Sequence, residues 1–491
     1  MVLGGSNLVY ITFMLGQKSA TLQLPLSFIY GIIPFSGLLI IYYEIVCDHS
    51  THQLTQKRLI MEIVSVLILV IAFLVLLGLG VPVAWSLGMS SVLTLLVTVA
   101  AFSAITTVAQ RMAAGLDTFA LLAIPFFIVA GELMNRGGIA NRLIALAKAI
   151  TGRLPGGLLH VNIVAAMLFG AIAGSAVAAA SAMGGILGKR MEQEGYPKEL
   201  GAAVNITSST TGLIIPPSNV LIVFSLASGG VSVAALFVAG YIPGILVGLL
   251  LMAVAAVMVK IKKIPAGEST SFKVLLEKFW KAVPSLFLLI VVIGGIVGGV
   301  FTATEASAIA VIYALGLSLF YRELKFKDLP SVLLKSAETT AVVTLLIATS
   351  MALSWVMSAE EIPQSISNSL LSLSDNIIVI LILINLILLV VGAFMDMTPA
   401  VMIFTPIFLP VVTALGIEPV HFGIMMVLNL CIGLCTPPVG SILFIGVGIA
   451  QTSIEKVLKP LLPFFGAMIV ALILIMLFPE ITLWLPRVLD F

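Results

Sequence analysis

The chain has 491 residues, of which 60% are apolar and 9% charged, and its mean hydropathy is +1.23. A soluble domain carries about 25% charged residues, so water is excluded as the main solvent and membrane lipid takes its place. The net charge of +2 includes no basic cluster interleaved with aromatics, which argues against a nucleic-acid partner.

Apolar stretches long enough to cross about 30 Å of hydrocarbon recur along the sequence, among them 63–81, 235–259, 283–301 and 377–394. The alternating pattern of a membrane β-barrel is absent. The expected class is therefore an all-α polytopic membrane protein, with about ten full spans and two re-entrant hairpins. The N-terminus lacks a basic region and a small-residue cleavage site, so no cleavable signal peptide is expected.

From about Met61 onward the chain reads as two halves with matching punctuation. In the first, an apolar run from His160 breaks at Ala171-Ile-Ala-Gly-Ser-Ala-Val177. It is followed by Asn205-Ile-Thr-Ser-Ser-Thr-Thr-Gly-Leu-Ile-Ile-Pro-Pro-Ser218 inside what should be one span. In the second, the run from Ile377 breaks at Gly392-Ala-Phe-Met-Asp-Met-Thr-Pro-Ala400. Asn429-Leu-Cys-Ile-Gly-Leu-Cys-Thr-Pro-Pro-Val-Gly440 then follows. Ser175 precedes Pro216 by 41 residues and Thr398 precedes Pro437 by 39.

Lys and Arg collect around 136–198, 260–281, 322–327 and 456–459, and the loops between them are acidic or neutral. Basic loops face the cytoplasm. Tracing helices between them makes the first hairpin enter from inside and the second from outside. Two inverted repeats are expected, 59–265 and 266–491, each with a re-entrant hairpin and a broken helix. That is the pattern of a secondary transporter with its site near the membrane midplane.

Broken helix inside a membrane is tolerated only where protein or a wet cavity covers it. Its use is chemical: freed carbonyls coordinate Na⁺, and half-helix N-termini favour anions. Gly174-Ser175 and Met397-Thr398-Pro399 supply such tips, while Pro216-Pro217 and Pro437-Pro438 remove N–H donors and force kinks.

Asp396 is an intramembrane carboxylate, functional by default, with helix capping as the alternative. Glu305 reads as a cap, Glu132 as half of an ion pair, and His160 and His421 as interfacial. Cys431 and Cys435 read as helix packing, because the three cysteines lack zinc spacing. There is no phosphate-binding loop and no nucleophile with an oriented base, so neither ATP hydrolysis nor enzymatic catalysis is expected.

At these motifs the chain resembles the DctM-like large permease of tripartite ATP-independent periplasmic (TRAP) transporters. The matching segments are Leu122-Ala-Ile-Pro-Phe-Phe127, Ala130-Gly-Glu-Leu-Met-Asn135, Gly174-Ser-Ala-Val-Ala178 and Ile214-Ile-Pro-Pro-Ser218. Phe301-Thr-Ala-Thr-Glu-Ala306, Met395-Asp-Met-Thr-Pro399 and Thr436-Pro-Pro-Val-Gly440 complete them.

The resemblance implies an elevator-type carrier that takes up a small organic acid across the bacterial inner membrane, coupled to Na⁺. It also implies two partners, a periplasmic solute-binding protein and a small DctQ-like membrane subunit. Its sodium sites fall where Gly174 and Ser175 face Thr210, Thr211, Gly212 and Pro216, and where Asp396 and Thr398 face Gly433, Thr436 and Pro437. Its substrate contacts fall at Ser175, Pro217, Ser218, Thr398 and Pro438. One departure is Ala179, where the family usually carries an aspartate; Ser181 is the candidate replacement.

Residues 1–58 resemble the last helix of the small subunit, from Gln17 through Ile45, with a polar linker after it. They are either a truncated fusion or a reading-frame extension before a true start at Met61, and the second reading is favoured. The rival functions are an anion:Na⁺ symporter that needs no binding protein, and a channel.

Overall fold

The apolar sequence folds almost wholly as helix, and no strand occurs among the described residues. The structure is a computed structural model and describes residues 10, 14, 64–264, 271–374, 376–437 and 439–491. Contacts divide the chain into units 1–68 and 69–491. The small-subunit-like segment 1–58 lies almost entirely outside the described residues, so the architecture below is that of the second unit.

Among the described residues, eight helices are long and apolar enough to cross a membrane, and four shorter apolar helices accompany them. The chain runs through α1 (Val83–Leu95), α2 (Ala101–Leu116), α3 (Ala123–Arg136) and α4 (Ile139–Thr151). Then come α5 (Gly157–Ala173) and α6 (Ala176–Met183), α7 (Lys198–Ser209) and α8 (Asn219–Ala227), and the 30-residue α9 (Val233–Lys262). The second half opens with α10 (Phe272–Val297), α11 (Ala303–Phe320), the 31-residue α12 (Leu329–Ala359) and α13 (Ile362–Leu373). It continues with α14 (Ile377–Phe394) and α15 (Met397–Ala414), α16 (Pro419–Leu434) and α17 (Ser441–Ile449). It ends with α18 (Ile454–Leu477) and α19 (Glu480–Val488).

One order of elements occurs twice: a helical hairpin (α5–α6, α14–α15), an interrupted helix (α7–α8, α16–α17), then a long helix (α9, α18). The two arms of the second hairpin are 18 residues each and meet the length criterion for spans.

Local chemistry sets the helix starts. Ser232 opens α9 by accepting the Ala235 N–H at 3.2 Å, and Asn376 opens α14 by accepting that of Ile378 at 2.9 Å. Glu305 closes a capping box at the start of α11: it accepts the Thr302 N–H at 2.8 Å, and Thr302 Oγ1 accepts the Glu305 N–H at 3.2 Å. Such reciprocal bonds satisfy two amides that a helix start otherwise leaves free.

Each hairpin meets its interrupted helix at a pair of glycines. A Cβ on Gly170 would lie 2.5 Å from the Cα of Gly212, and a Cβ on Gly433 would lie 2.5 Å from that of Gly392. Lipid tails are as apolar as leucine, so helices associate in membranes through close backbone approach and hydrogen bonds. Both crossings also carry such bonds. Ser208 donates to Asn162 Oδ1 at 3.0 Å, and Asn429 Nδ2 donates to Asn385 Oδ1 at 2.8 Å.

Every residue from Leu200 to Ser218, and from His421 to Cys435, is buried. The first interruption therefore sits inside protein, as freed backbone groups at membrane depth require, whereas the second is partly covered, with Thr436 and Pro437 half-buried and Val439 exposed. The two interrupted helices also touch. The Cys431 thiol donates to the Thr210 carbonyl at 3.5 Å and the Cys435 thiol to the Ile206 carbonyl at 3.6 Å. These cysteines thus bridge the two halves rather than only filling space.

His160 and His421, expected at the interface, are buried inside the protein. His421 Nδ1 lies 2.7 Å from Thr482 Oγ1. The threonine comes from α19, which packs on α16 and supplies this partner.

Candidate functional site

At the first tip, Gly174 ends α5 in the left-handed region with φ of +59°, where glycine carries no Cβ penalty. The chain reverses and Ser175 opens α6, its hydroxyl accepting the Ala178 N–H at 3.3 Å. The hydroxyl is thus a helix cap as well as an oxygen on the tip. A Cβ on Gly174 would lie 3.5 Å from the Pro217 carbonyl oxygen and 3.3 Å from Asn219 Nδ2. Tip one therefore faces the end of the first interruption.

Within that interruption Thr210, Thr211, Gly212, Pro216, Pro217 and Ser218 are all buried. Three of their hydroxyls donate to nearby carbonyls: Thr210 to Thr207 at 2.8 Å, Thr211 to Ser208 at 2.6 Å and Ser218 to Leu213 at 2.6 Å. Donation leaves the oxygen lone pairs able to accept.

At the second tip, Asp396 precedes α15 in the N-cap position but makes no side-chain capping hydrogen bond. Capping, the alternative to a functional role, is not the geometry found. Its neighbour Thr398 is half-buried. Across from this tip the Gly440 N–H donates to the Ala393 carbonyl at 3.2 Å, and the half-buried Thr436 donates its hydroxyl to the Ile432 carbonyl at 2.7 Å. Gly433 is buried and Pro437 half-buried, while Pro438 lies outside the described residues.

The two tips meet in one cavity of about 510 Å³, which Gly174, Ser175, Asp396 and Thr398 all line. Ser181 also lines it, whereas Ala179 is fully buried and turned into packing. Thr210, Thr211, Gly212, Pro216, Pro217, Ser218 and Gly433 do not line it and are buried, and the half-buried Thr436 and Pro437 do not line it either.

Two oxygen atoms missed in the sequence stand out. Asn219 is the first residue of α8 and Ser441 the first of α17. Asn219 Oδ1 and Ser441 Oγ are both buried without a hydrogen-bond partner, and Asn219 lines the cavity. A buried oxygen left unpaired costs free energy unless water or an ion satisfies it. The available signal was positional: a polar side chain opening the second half of each interrupted helix.

Glu132 pairs with Arg136 at 2.8 Å, and Arg136 also donates to Ser331 Oγ at 2.9 Å.

The chain is 54% identical over 424 residues to the Salmonella typhimurium protein YgiK, covering 86% of this chain and 98% of that one. It is 38% identical over 405 residues to the C4-dicarboxylate TRAP transporter large permease protein DctM of Pseudomonas aeruginosa, covering 82% and 94%. It is 37% identical over 413 residues to the sialic acid TRAP transporter large permease protein SiaM of Vibrio cholerae, covering 83% and 95%.

In fold it resembles the crystal structure of the Alcanivorax borkumensis YdaH transporter, with a TM-score of 0.56 at 13% identity, over 76% of this chain and 87% of that one. Residues 70–481 match the family described as the DctM component of the tripartite ATP-independent periplasmic transporter. The chain belongs to that family, and is a multi-pass inner-membrane transporter permease rather than an enzyme.

Proposed function

We propose that this chain drives uptake of a small organic acid by coupling it to inward Na⁺ movement. In this reading a periplasmic solute-binding protein delivers the acid, and a small membrane subunit completes the permease. The observation that carries the reading is the single cavity lined by both tips, through Gly174, Ser175, Asp396 and Thr398. The acid class is supported by the relatives whose names specify C4-dicarboxylate and sialic acid, both of them carboxylates.

The donors at the two tips fit a hard monovalent cation. They are hydroxyls, carbonyls, one carboxylate and the unpaired Oδ1 of Asn219. Na⁺ bound there would add positive charge beside the tips and favour entry of an anion. Gly174 and Ser175 with Thr210, Thr211, Gly212 and Pro216 would form one ion site. Asp396 and Thr398 with Gly433, Thr436 and Pro437 would form the other. Ser175 and Thr398 line the cavity and would face the acid, whereas Pro217 and Ser218 are buried and do not line it.

The repeated order of elements supports reading 59–265 and 266–491 as inverted repeats. In the elevator mechanism both hairpins and both interrupted helices would move as one body, carrying the site across the membrane.

Proteoliposomes holding this chain and its small subunit test the delivery step. Uptake should stay at background until the binding protein is added outside. Full uptake without it would instead indicate a binding-protein-independent anion:Na⁺ symporter.

A further inference from the structure

The cavity has a wall that neither hairpin supplies. Lys335, Ser336 and Thr339 of α12 line it alongside the tips. At helical spacing these three positions present one polar patch toward the cavity. Among the described residues, Lys335 is the only basic side chain lining the cavity.

Ser336 is only 2% exposed, and its Oγ has no hydrogen-bond partner. Serine and threonine hydroxyls within a helix usually bond back to a carbonyl one turn earlier. Thr339 does so, donating to the Lys335 carbonyl at 3.1 Å, and so does Thr349, donating to that of Leu345 at 3.0 Å. The Ser336 hydroxyl makes no such bond and stands ready for an occupant of the cavity. The Lys335 ammonium lies 3.3 Å from Glu338, and both side chains are exposed. An exposed ion pair of this kind is weak and readily exchanged for another carboxylate.

We propose that Lys335 and Ser336 form a carboxylate-binding station for the transported acid, on the cavity wall supplied by α12. The inference rests on the reading of the chain as an organic-acid carrier and adds which of its residues take the acid's charged end. A lysine ammonium beside a serine hydroxyl offers a carboxylate one charge-assisted and one neutral hydrogen bond. In this structure Glu338 stands in for that carboxylate. Because α12 belongs to neither hairpin, the station would hold the acid only while the tips lie beside it. It is therefore a point of transfer on one side of the transport cycle, separate from the ion sites.

Counterflow in proteoliposomes holding the permease and its small subunit, with binding protein and labelled acid outside, tests this. The probe is whichever of succinate, N-acetylneuraminate or gluconate the wild-type permease exchanges. The measurement is the internal concentration of unlabelled acid that gives half-maximal entry of label. Lys335→Gln should raise that concentration about tenfold and Ser336→Ala about threefold, as loss of a charged or a neutral hydrogen bond implies. Lys335→Arg should raise it less than Lys335→Gln does, because a charge-assisted hydrogen bond to the carboxylate is kept. Glu338→Gln should lower the concentration by freeing the ammonium.

The Na⁺ dependence should be unchanged in all four variants, a pattern that general damage to the fold would not produce. If Lys335→Gln does not reach the membrane, Ser336→Ala decides. Wild-type values in Lys335→Gln and Ser336→Ala, with normal exchange in the parent, overturn this station alone. Failure of the wild-type protein to exchange any of the three acids overturns the carrier reading, and the station with it.

Discussion

Gly433 and Gly392 pack backbone against backbone, so close that a Cβ on Gly433 would lie 2.5 Å from the Cα of Gly392. Gly170 and Gly212 repeat this contact in the first half. The two crossings join the arm of each hairpin to the helix whose interruption faces its tip. Overpacking a tight contact costs about 1–3 kcal/mol. Gly433→Ala should therefore lower the midpoint of thermal inactivation of the purified permease. Gly466→Ala, where nothing lies within 4 Å of the added Cβ, should leave it unchanged. Equal midpoints for the two variants would contradict the crossing.

Asp396 lines the cavity without capping the helix that follows it. Asp396→Asn preserves size but removes the charge that would attract Na⁺. The variant should insert normally while transport falls about tenfold, close to 1.4 kcal/mol. Raised external Na⁺ should recover part of the loss. Near-wild-type transport with an unaltered Na⁺ dependence would remove Asp396 from the site.

Asn219 and Asn385 are both asparagines in membrane helices, yet they should respond differently. Asn219 Oδ1 has no partner and faces the tip cavity. Asn219→Ala should thus reduce transport more than thermal stability. Asn385 accepts from Asn429 Nδ2 at 2.8 Å in the buried core. Removing that acceptor strands a buried donor at a cost of about 1–3 kcal/mol. Asn385→Ala should therefore lower the inactivation midpoint, and paired transport and thermal assays separate the two outcomes.

What the sequence revealed follows from which features are local. The two hairpin tips and both proline-paired interruptions were legible because Gly, Pro, Ser and Thr inside apolar runs mark breaks without any tertiary information. Glu305 as a cap and Glu132 as an ion-pair partner were legible for the same reason, each meeting a neighbour three or four residues away.

Lys335 and Ser336 were not legible. They sit in an unbroken helix, and only tertiary packing brings them into the cavity with the tips. The bonds from Cys431 and Cys435 to the first interrupted helix, like the burial of His421 against Thr482, join residues far apart in sequence. No spacing rule reports such contacts.

The segment before Met61 also has a testable consequence. A chain beginning at Met61, with a complete small subunit supplied separately, should match or exceed the full chain in transport. Loss of transport at normal membrane levels would show that residues 1–58 take part in function.

The ion dependence of uptake tests the account's central claim most directly. Proteoliposomes holding the permease and its small subunit, with binding protein and labelled acid outside, should accumulate the acid when an inward Na⁺ gradient is imposed. Accumulation should fall to background when K⁺ replaces Na⁺ in the absence of a pH gradient. Equal uptake in K⁺ and Na⁺ would contradict sodium coupling at the two tips.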